Sequence, residues 1–163
     1  VSPVMDLPRC VDALERKSNL IYQWNFVRNL KARMRRKAAA FPALFSTDPL
    51  SRIQTVRQFD EAYTAPFFGF QNATDYYYRA AALRVVDRIS VPALIVTAAD
   101  DPFVPADAFR QTPVTTNPRI TVELSAHGGH CAFVAPADGN AFDGYWAERR
   151  IVEFATSVCA PQQ

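Results

Sequence analysis

Histidine is scarce in this chain: two among 163 residues, His127 and His130. Glycine is sparse as well, with five in all, and two of them, Gly128 and Gly129, lie between the histidines. The three cysteines, Cys10, Cys131 and Cys159, are odd in number and widely spaced. That pattern excludes a disulfide framework or a zinc-binding repeat, and a reducing, cytoplasmic compartment is the expected setting. The longest apolar stretch, residues 91–99, falls far short of the ~20 residues needed to cross a bilayer. The first residues show no charged-then-apolar leader. A charge excess is missing too: the formal net charge is only +2. We therefore expect a soluble protein with no nucleic-acid partner and no stable membrane insertion; nothing in the sequence specifies an oligomeric state.

What the chain does have is material for a core. Hydrophobic residues make up 49% of it, enough for one globular unit of sizeable interior. Its twelve prolines are scattered rather than repeated, so they punctuate structure without implying disorder.

Val1-Ser2-Pro3-Val4 reads as the tail of a strand entering a turn. From about Val11 to Lys37 the pattern is helical, with Leu20, Trp24, Val27, Leu30 and Met34 at three- and four-residue steps forming one apolar stripe. Arg28, Lys31, Arg33, Arg35, Arg36 and Lys37 occupy the other faces. Such a run suits an anionic surface, but most basic runs simply face water. Phe41-Pro42 stops this helix. Asp48-Pro49 opens another, running to about Tyr63, with Asp48 as its cap. Thr64 to Phe70 reads as an aromatic loop, and Asp75 as the cap of a short helix carrying Tyr76, Tyr77 and Tyr78. These aromatics are candidates for lining an apolar pocket.

Past Ile89 the chain alternates strand, loop and helix. Ala93–Ala98 is an apolar, β-branched run of the buried-strand type, and Ile120–Leu124 is the next strand. Between them, Pro105-Ala106-Asp107 starts a helix, and a last helix spans roughly Ala141 to Ser157, exposing Glu148, Arg149, Arg150 and Glu153. That alternation implies a parallel sheet with flanking helices.

Each strand ends in polar residues of chemical interest. The first runs into Asp100-Asp101-Pro102-Phe103-Val104-Pro105, and the second into Ser125-Ala126-His127-Gly128-Gly129-His130. A carboxylate and an imidazole delivered to one edge of a parallel sheet would form an acid–base pair where such sheets carry their sites.

Together these stretches resemble the C-terminal half of the α/β-hydrolase superfamily. The nearest likeness is to its YheT-like branch, which groups with the ABHD1-2-3-type hydrolases. The resemblance covers nearly the whole chain and rests on Val1-Ser2-Pro3, Arg57-Gln58-Phe59-Asp60, Gly69-Phe70 through Asp75-Tyr76-Tyr77, Asp100-Asp101-Pro102-Phe103, and His127-Gly128-Gly129-His130.

It implies the end of a core strand at 1–6, a helical cap over 7–88, and the C-terminal part of the core at 89–163. It further implies a Ser-Asp-His triad in that chain order. Asp101 fills the place of the acid and His130 that of the base, while Asp100 would bond locally and His127 serve as loop scaffolding. The substrate would be a carboxylic ester, either short-chain or a lipid such as an acylglycerol, with no cofactor and no metal.

The departure from the pattern is the nucleophile. None of the seven serines (Ser2, Ser18, Ser46, Ser51, Ser90, Ser125, Ser157) sits in a G-x-S-x-G setting. The elbow and the oxyanion loop would then precede Val1, which makes the chain a fragment that is inert alone. Losing the serine of a triad costs on the order of a million-fold in turnover.

Other readings compete. His127 and His130 with Asp100 and Asp101 could ligate a metal, although no helical H-x-x-x-H frames them. Cys131 could be a thiol nucleophile, but neighbouring side chains usually point apart. Asp101 could cap the turn through Pro102, a role compatible with catalysis. A noncatalytic binding module or an acyltransferase of the same fold completes the set.

Overall fold

The structure is a computed structural model describing residues 1–136 and 143–160. The chain divides into two compact units, Leu7–Ala81 and the combination of Val1–Asp6 with Ala82–Gln163.

The unit Leu7–Ala81 is helical. Helix α1 (Leu7–Leu14) and helix α2 (Leu20–Ala40) are separated by a single 3-10 turn at Lys17–Asn19, so the expected helix from Val11 is broken. Buried Asn19 marks the break by donating its side-chain amide to the Ala13 carbonyl (2.9 Å). On α2 the buried residues are Gln23, Val27 and Met34, with Leu30 packed beside them; Leu20 and Trp24, expected on the same stripe, are exposed. The helix ends at Phe41 as the following proline demands.

Asp48 does not cap a long helix. Asp48–Ser51 is one 3-10 turn, and α3 (Val56–Phe59) starts later, at Thr55. There the Thr55 hydroxyl accepts from Gln58 N–H while the Gln58 side chain accepts from Thr55 N–H, a reciprocal pair that satisfies two orphan donors.

The expected loop at 64–70 is largely helical. A π-type turn over Asp60–Thr64 leads into α4 (Ala65–Phe67), where Ala65 N–H reaches back to the Asp60 carbonyl. Pro66 lacks an N–H and crowds the carbonyl four residues before it; the wider turn accommodates the ring without ending the helix.

Asn72, not Asp75, then caps α5 (Ala73–Ala80) by accepting from Asp75 N–H at 2.9 Å. Val27, Met34, Leu50, Ile53 and Phe59 form the main core of this unit; Val11, Ala73 and Tyr77 form a second. Of the three tyrosines, Tyr77 is buried with its hydroxyl donating to Asp60 (2.7 Å), whereas Tyr78 is exposed. Phe67 and Phe68 line a cavity of about 250 Å³ together with Phe45, Phe59 and Tyr63.

The other unit holds the sheet. Strands β1 (Ala93–Ala98) and β2 (Ile120–Ser125) pair in parallel, in register from Ala93 opposite Ile120 to Ala98 opposite Ser125. Their connection runs through a 3-10 turn at Ala106–Arg110 and the short α6 (Thr112–Thr115). The entry to β2 is tied down by Asn117, whose side-chain amide donates to the carbonyls of Val86, Asp87 and Ile89 at 3.0–3.3 Å.

Residues 1–6 carry no strand; Ser2 N–H donates to the Val96 carbonyl on β1 at 2.7 Å. Helix α7 (Trp146–Cys159) starts later than expected: Asp143, Gly144 and Tyr145 are not helical, and Ala141 and Phe142 lie outside the described residues. Val96, Ala98 and Phe133 form one core cluster, with Trp146 of α7 packed on it. Arg150 is not merely solvated: its guanidinium grips Glu123 of β2 at 2.5–3.0 Å. Among the described residues no helix is long and apolar enough to cross a membrane.

Candidate active site

The register of the two strands decides what meets at their ends. Because Ala98 lies opposite Ser125, and Ala99 N–H still reaches the Ser125 carbonyl (2.8 Å), the chain leaves both strands at one level. Asp100-Asp101 therefore emerges beside the turn that holds both histidines, at the carboxyl ends of parallel strands.

Asp101 and His130 come together there. His130 Nδ1 lies 2.9 Å from Asp101 Oδ2; the Asp101 side chain is fully buried, and that of His130 is 39% exposed. The other carboxylate oxygen accepts from Phe103 N–H (2.8 Å) and Val104 N–H (3.0 Å), closing the turn through Pro102. One carboxylate thus does both jobs weighed for it, turn cap and imidazole partner. With the Nδ1 proton directed at Asp101, Nε2 is left as the ring's acceptor.

Phe103 was not singled out from the sequence, yet its ring stands edge-on to the imidazole with centroids 5.3 Å apart. The turn that positions its backbone N–H for Asp101 also positions its side chain against His130. The signal was the Asp-Pro-Phe-Val run, which reads as a turn without revealing where the aromatic points.

Asp100 reaches beyond its own loop. It crosses to the facing turn, accepting from Gly129 N–H at 2.8 Å, with its second oxygen 3.3 Å from His127 Nδ1. These two donors hold its carboxyl below the usual range, the Gly129 backbone contributing most. The His127 side chain is 90% exposed.

Two glycines at positive φ shape the turn. Gly129 sits at φ +53, a left-handed angle that suits glycine. Gly128, at φ +154, needs glycine for its backbone angle and for space as well, since a Cβ there would come within 2.5 Å of the buried Phe133 ring.

Ser125, the serine nearest in sequence, donates its hydroxyl to the His127 carbonyl (2.6 Å) and braces the turn. Cys131 is exposed. Among the described residues no group of three or more His, Cys, Asp or Glu side chains is placed to hold a metal ion.

A parallel sheet with flanking helices, bearing a buried carboxylate and an imidazole on adjacent strand ends, defines an α/β protein with an acid–base pair at the usual edge. Relatives make the assignment more specific. The chain is 31% identical to YheT of Escherichia coli over 159 residues, 96% of this chain and 46% of that one. It is 29% identical to phospholipase ABHD3 of Mus musculus over 126 residues (77% and 31% of the two chains). Over 103 residues it is 42% identical to medium-chain fatty acid ethyl ester synthase/esterase 2 of Saccharomyces cerevisiae (63% and 22%). The chain belongs to the α/β-hydrolase family. It spans less than half the length of each of these relatives. No family model and no solved structure matches it.

Proposed function

We propose that this chain supplies the acid–base half of a serine hydrolase acting on carboxylic esters, with His130 as the base and Asp101 as its orienting carboxylate. The observation that carries this reading is the 2.9 Å contact between a half-exposed imidazole and a fully buried carboxylate, made from neighbouring strand ends. His130 Nε2 takes the proton of a serine hydroxyl as that oxygen attacks the ester carbonyl. The same nitrogen then returns the proton to the departing alcohol. Asp101 fixes the tautomer and stabilises the imidazolium formed in between.

The serine belongs to a stretch outside these 163 residues, since none of the seven present has the elbow setting that exposes a nucleophile. Backbone amides near that elbow would hold the oxyanion. Leu7–Ala81, with the residues to 88, acts as the helical cap. The relatives' names support esters of fatty acids or phospholipids as substrates.

Hydrolysis of a p-nitrophenyl ester by the intact protein tests this. His130→Ala should lower kcat by on the order of a million-fold, with circular dichroism unchanged. Wild-type turnover in that variant overturns the assignment.

One observation favours a second outcome for the same acyl-enzyme: the yeast relative is named as a synthase as well as an esterase. Transfer to an alcohol uses the same base, with the alcohol in place of water. Adding ethanol to the assay and measuring ethyl ester formed against acid released separates the two.

A further inference from the structure

The aromatic cavity of the helical unit is apolar inside and basic where it meets water. It holds about 250 Å³, room for one alkyl chain rather than for a bulky ring system. Leu30, Met34 and Phe59 line it from the unit's main core and from α2 packed there. A run of rings continues the lining: Phe45 stacks on Phe67 with centroids 5.3 Å apart, and Phe67 meets Phe68 edge-on at 5.1 Å. Tyr63 and Thr64 join from the π-type turn, a distortion that helices frequently carry at functional sites.

The hydroxyls of that lining are already engaged. Tyr63 donates to the Ser46 carbonyl (2.9 Å) and Thr64 to Asp60 (2.6 Å). The interior therefore offers hydrocarbon contact and suits a chain without polar groups. Phe67 and Phe68 are 58% and 66% exposed, and large rings set side by side in water mark a surface that gains by being covered.

The charge is of one sign. Arg33 and Lys37, one turn apart on α2 and both exposed, are the charged side chains that line the cavity among the described residues, and no acid joins them. Lys37 Nζ sits over the Phe45 ring, 5.3 Å from its centroid. Cations along a helix usually just face water. Here their stems close an apolar space while their heads stay in solvent, which is where the polar end of an amphiphile would emerge. A carboxylate has one oxygen for each of the two.

We propose that this cavity binds the anion of a free medium-chain fatty acid, with the alkyl chain among the rings and the carboxylate between Arg33 and Lys37. A neutral ester of the same chain forfeits the charged contacts and is the poorer ligand. An ester hydrolase of the kind proposed above would release this ligand as its product. Only that link rests on the hydrolase reading, because the cavity lies within Leu7–Ala81 and uses neither Asp101 nor His130.

Calorimetry on the full chain tests this with decanoate and decan-1-ol, each below the concentration at which it aggregates. Decanoate should bind about ten-fold tighter than the alcohol, and affinity should rise about three-fold per methylene from hexanoate to decanoate. Arg33→Gln with Lys37→Gln should abolish the preference for the acid and leave decanol binding unchanged. The same charge removed outside the lining, Arg35→Gln with Arg36→Gln, should alter neither. Phe68→Ala, at a side chain mostly in water, should weaken both ligands about five-fold with circular dichroism unchanged.

Absence of decanoate binding overturns the proposal, as does equal affinity for acid and alcohol, or an equal loss in the two charge variants. So does adsorption to phosphatidylglycerol vesicles without binding of monomeric decanoate, which would make the exposed rings a membrane-facing surface instead.

Discussion

Two carboxylate–imidazole pairs stand side by side at the edge of the sheet, and they differ in almost everything but composition. Asp101 and His130 meet at 2.9 Å around a carboxylate with no exposed surface. Asp100 and His127 meet at 3.3 Å with 43% of one side chain and 90% of the other in water. In the first pair the carboxylate is locked by two backbone N–H groups and the imidazole rests against Phe103. In the second, one oxygen is spent on Gly129 N–H, and the imidazole stands almost wholly in water. Asp–His adjacency alone therefore says little. Burial removes the water that would compete for the imidazole proton, and fixed donors hold the carboxylate in one orientation; only the first pair has both.

The sharpest way to break this contrast is to neutralise each acid in turn. Asp101→Asn in the intact protein should cut kcat by about ten-thousand-fold, as removal of a triad carboxylate does. Asp100→Asn should cost less than about ten-fold, since the amide oxygen can still accept from Gly129. Equal losses in the two variants would mean that burial is not what separates the pairs.

A smaller effect, on stability, comes from the turn that carries both imidazoles. Gly128→Ala forces alanine to hold φ +154 and places a methyl against the Phe133 ring, which is packed by Trp146 and has little room to retreat. Overpacking of this kind destabilises by about 1–3 kcal/mol. Gly129→Ala meets nothing within 4 Å and has only the left-handed angle to overcome, about 1 kcal/mol. Chemical denaturation of the two variants should rank them in that order. The reverse order would show that the Phe133 ring yields to the added methyl.

Much of this arrangement was legible in the residues. Ala93–Ala98 is apolar but for Thr97 because it is covered, and Ile120–Ser125 alternates in sequence because it is half covered, so both strands announce themselves by pattern. The polar residues at their ends follow directly. What was not legible depends on backbone groups and on packing. The Asp100–Gly129 bond uses an amide N–H that every residue owns, so no side chain advertises it. Phe103 lies in a turn whose sequence fixes its backbone but not the direction of its ring.

The helical unit was harder to read for the opposite reason, that strong local signals misled. Pro66 among aromatics suggests a loop, yet the π-type turn before it lets the helix continue. Asp48-Pro49 has the chemistry of a helix start but opens one turn; the better signal was Thr55 followed three residues later by Gln58. On α2, Leu20 and Trp24 share the stripe's spacing, but the rotation set by Val27 and Met34 buries Gln23 in their stead.

The smallest effect concerns pH and the exposed pair. Gly129 N–H and then His127 hold the Asp100 carboxyl below its ordinary value, so folding favours its ionised form. The resulting stability is present in full above the unfolded value of about 4 and disappears as pH falls from there through the lowered folded value. Asp100→Ala should therefore be less stable than the wild type at neutral pH, with the gap constant down to about pH 5 and closing below about pH 4. Urea denaturation of both proteins across that range measures it. Because Asp100 is open to solvent, the gap should be small and should shrink further with added salt. A gap that widens on acidification would mean that the protonated carboxyl is the form the turn prefers, and the latch between Asp100 and Gly129 would have to be assigned to a neutral hydrogen bond.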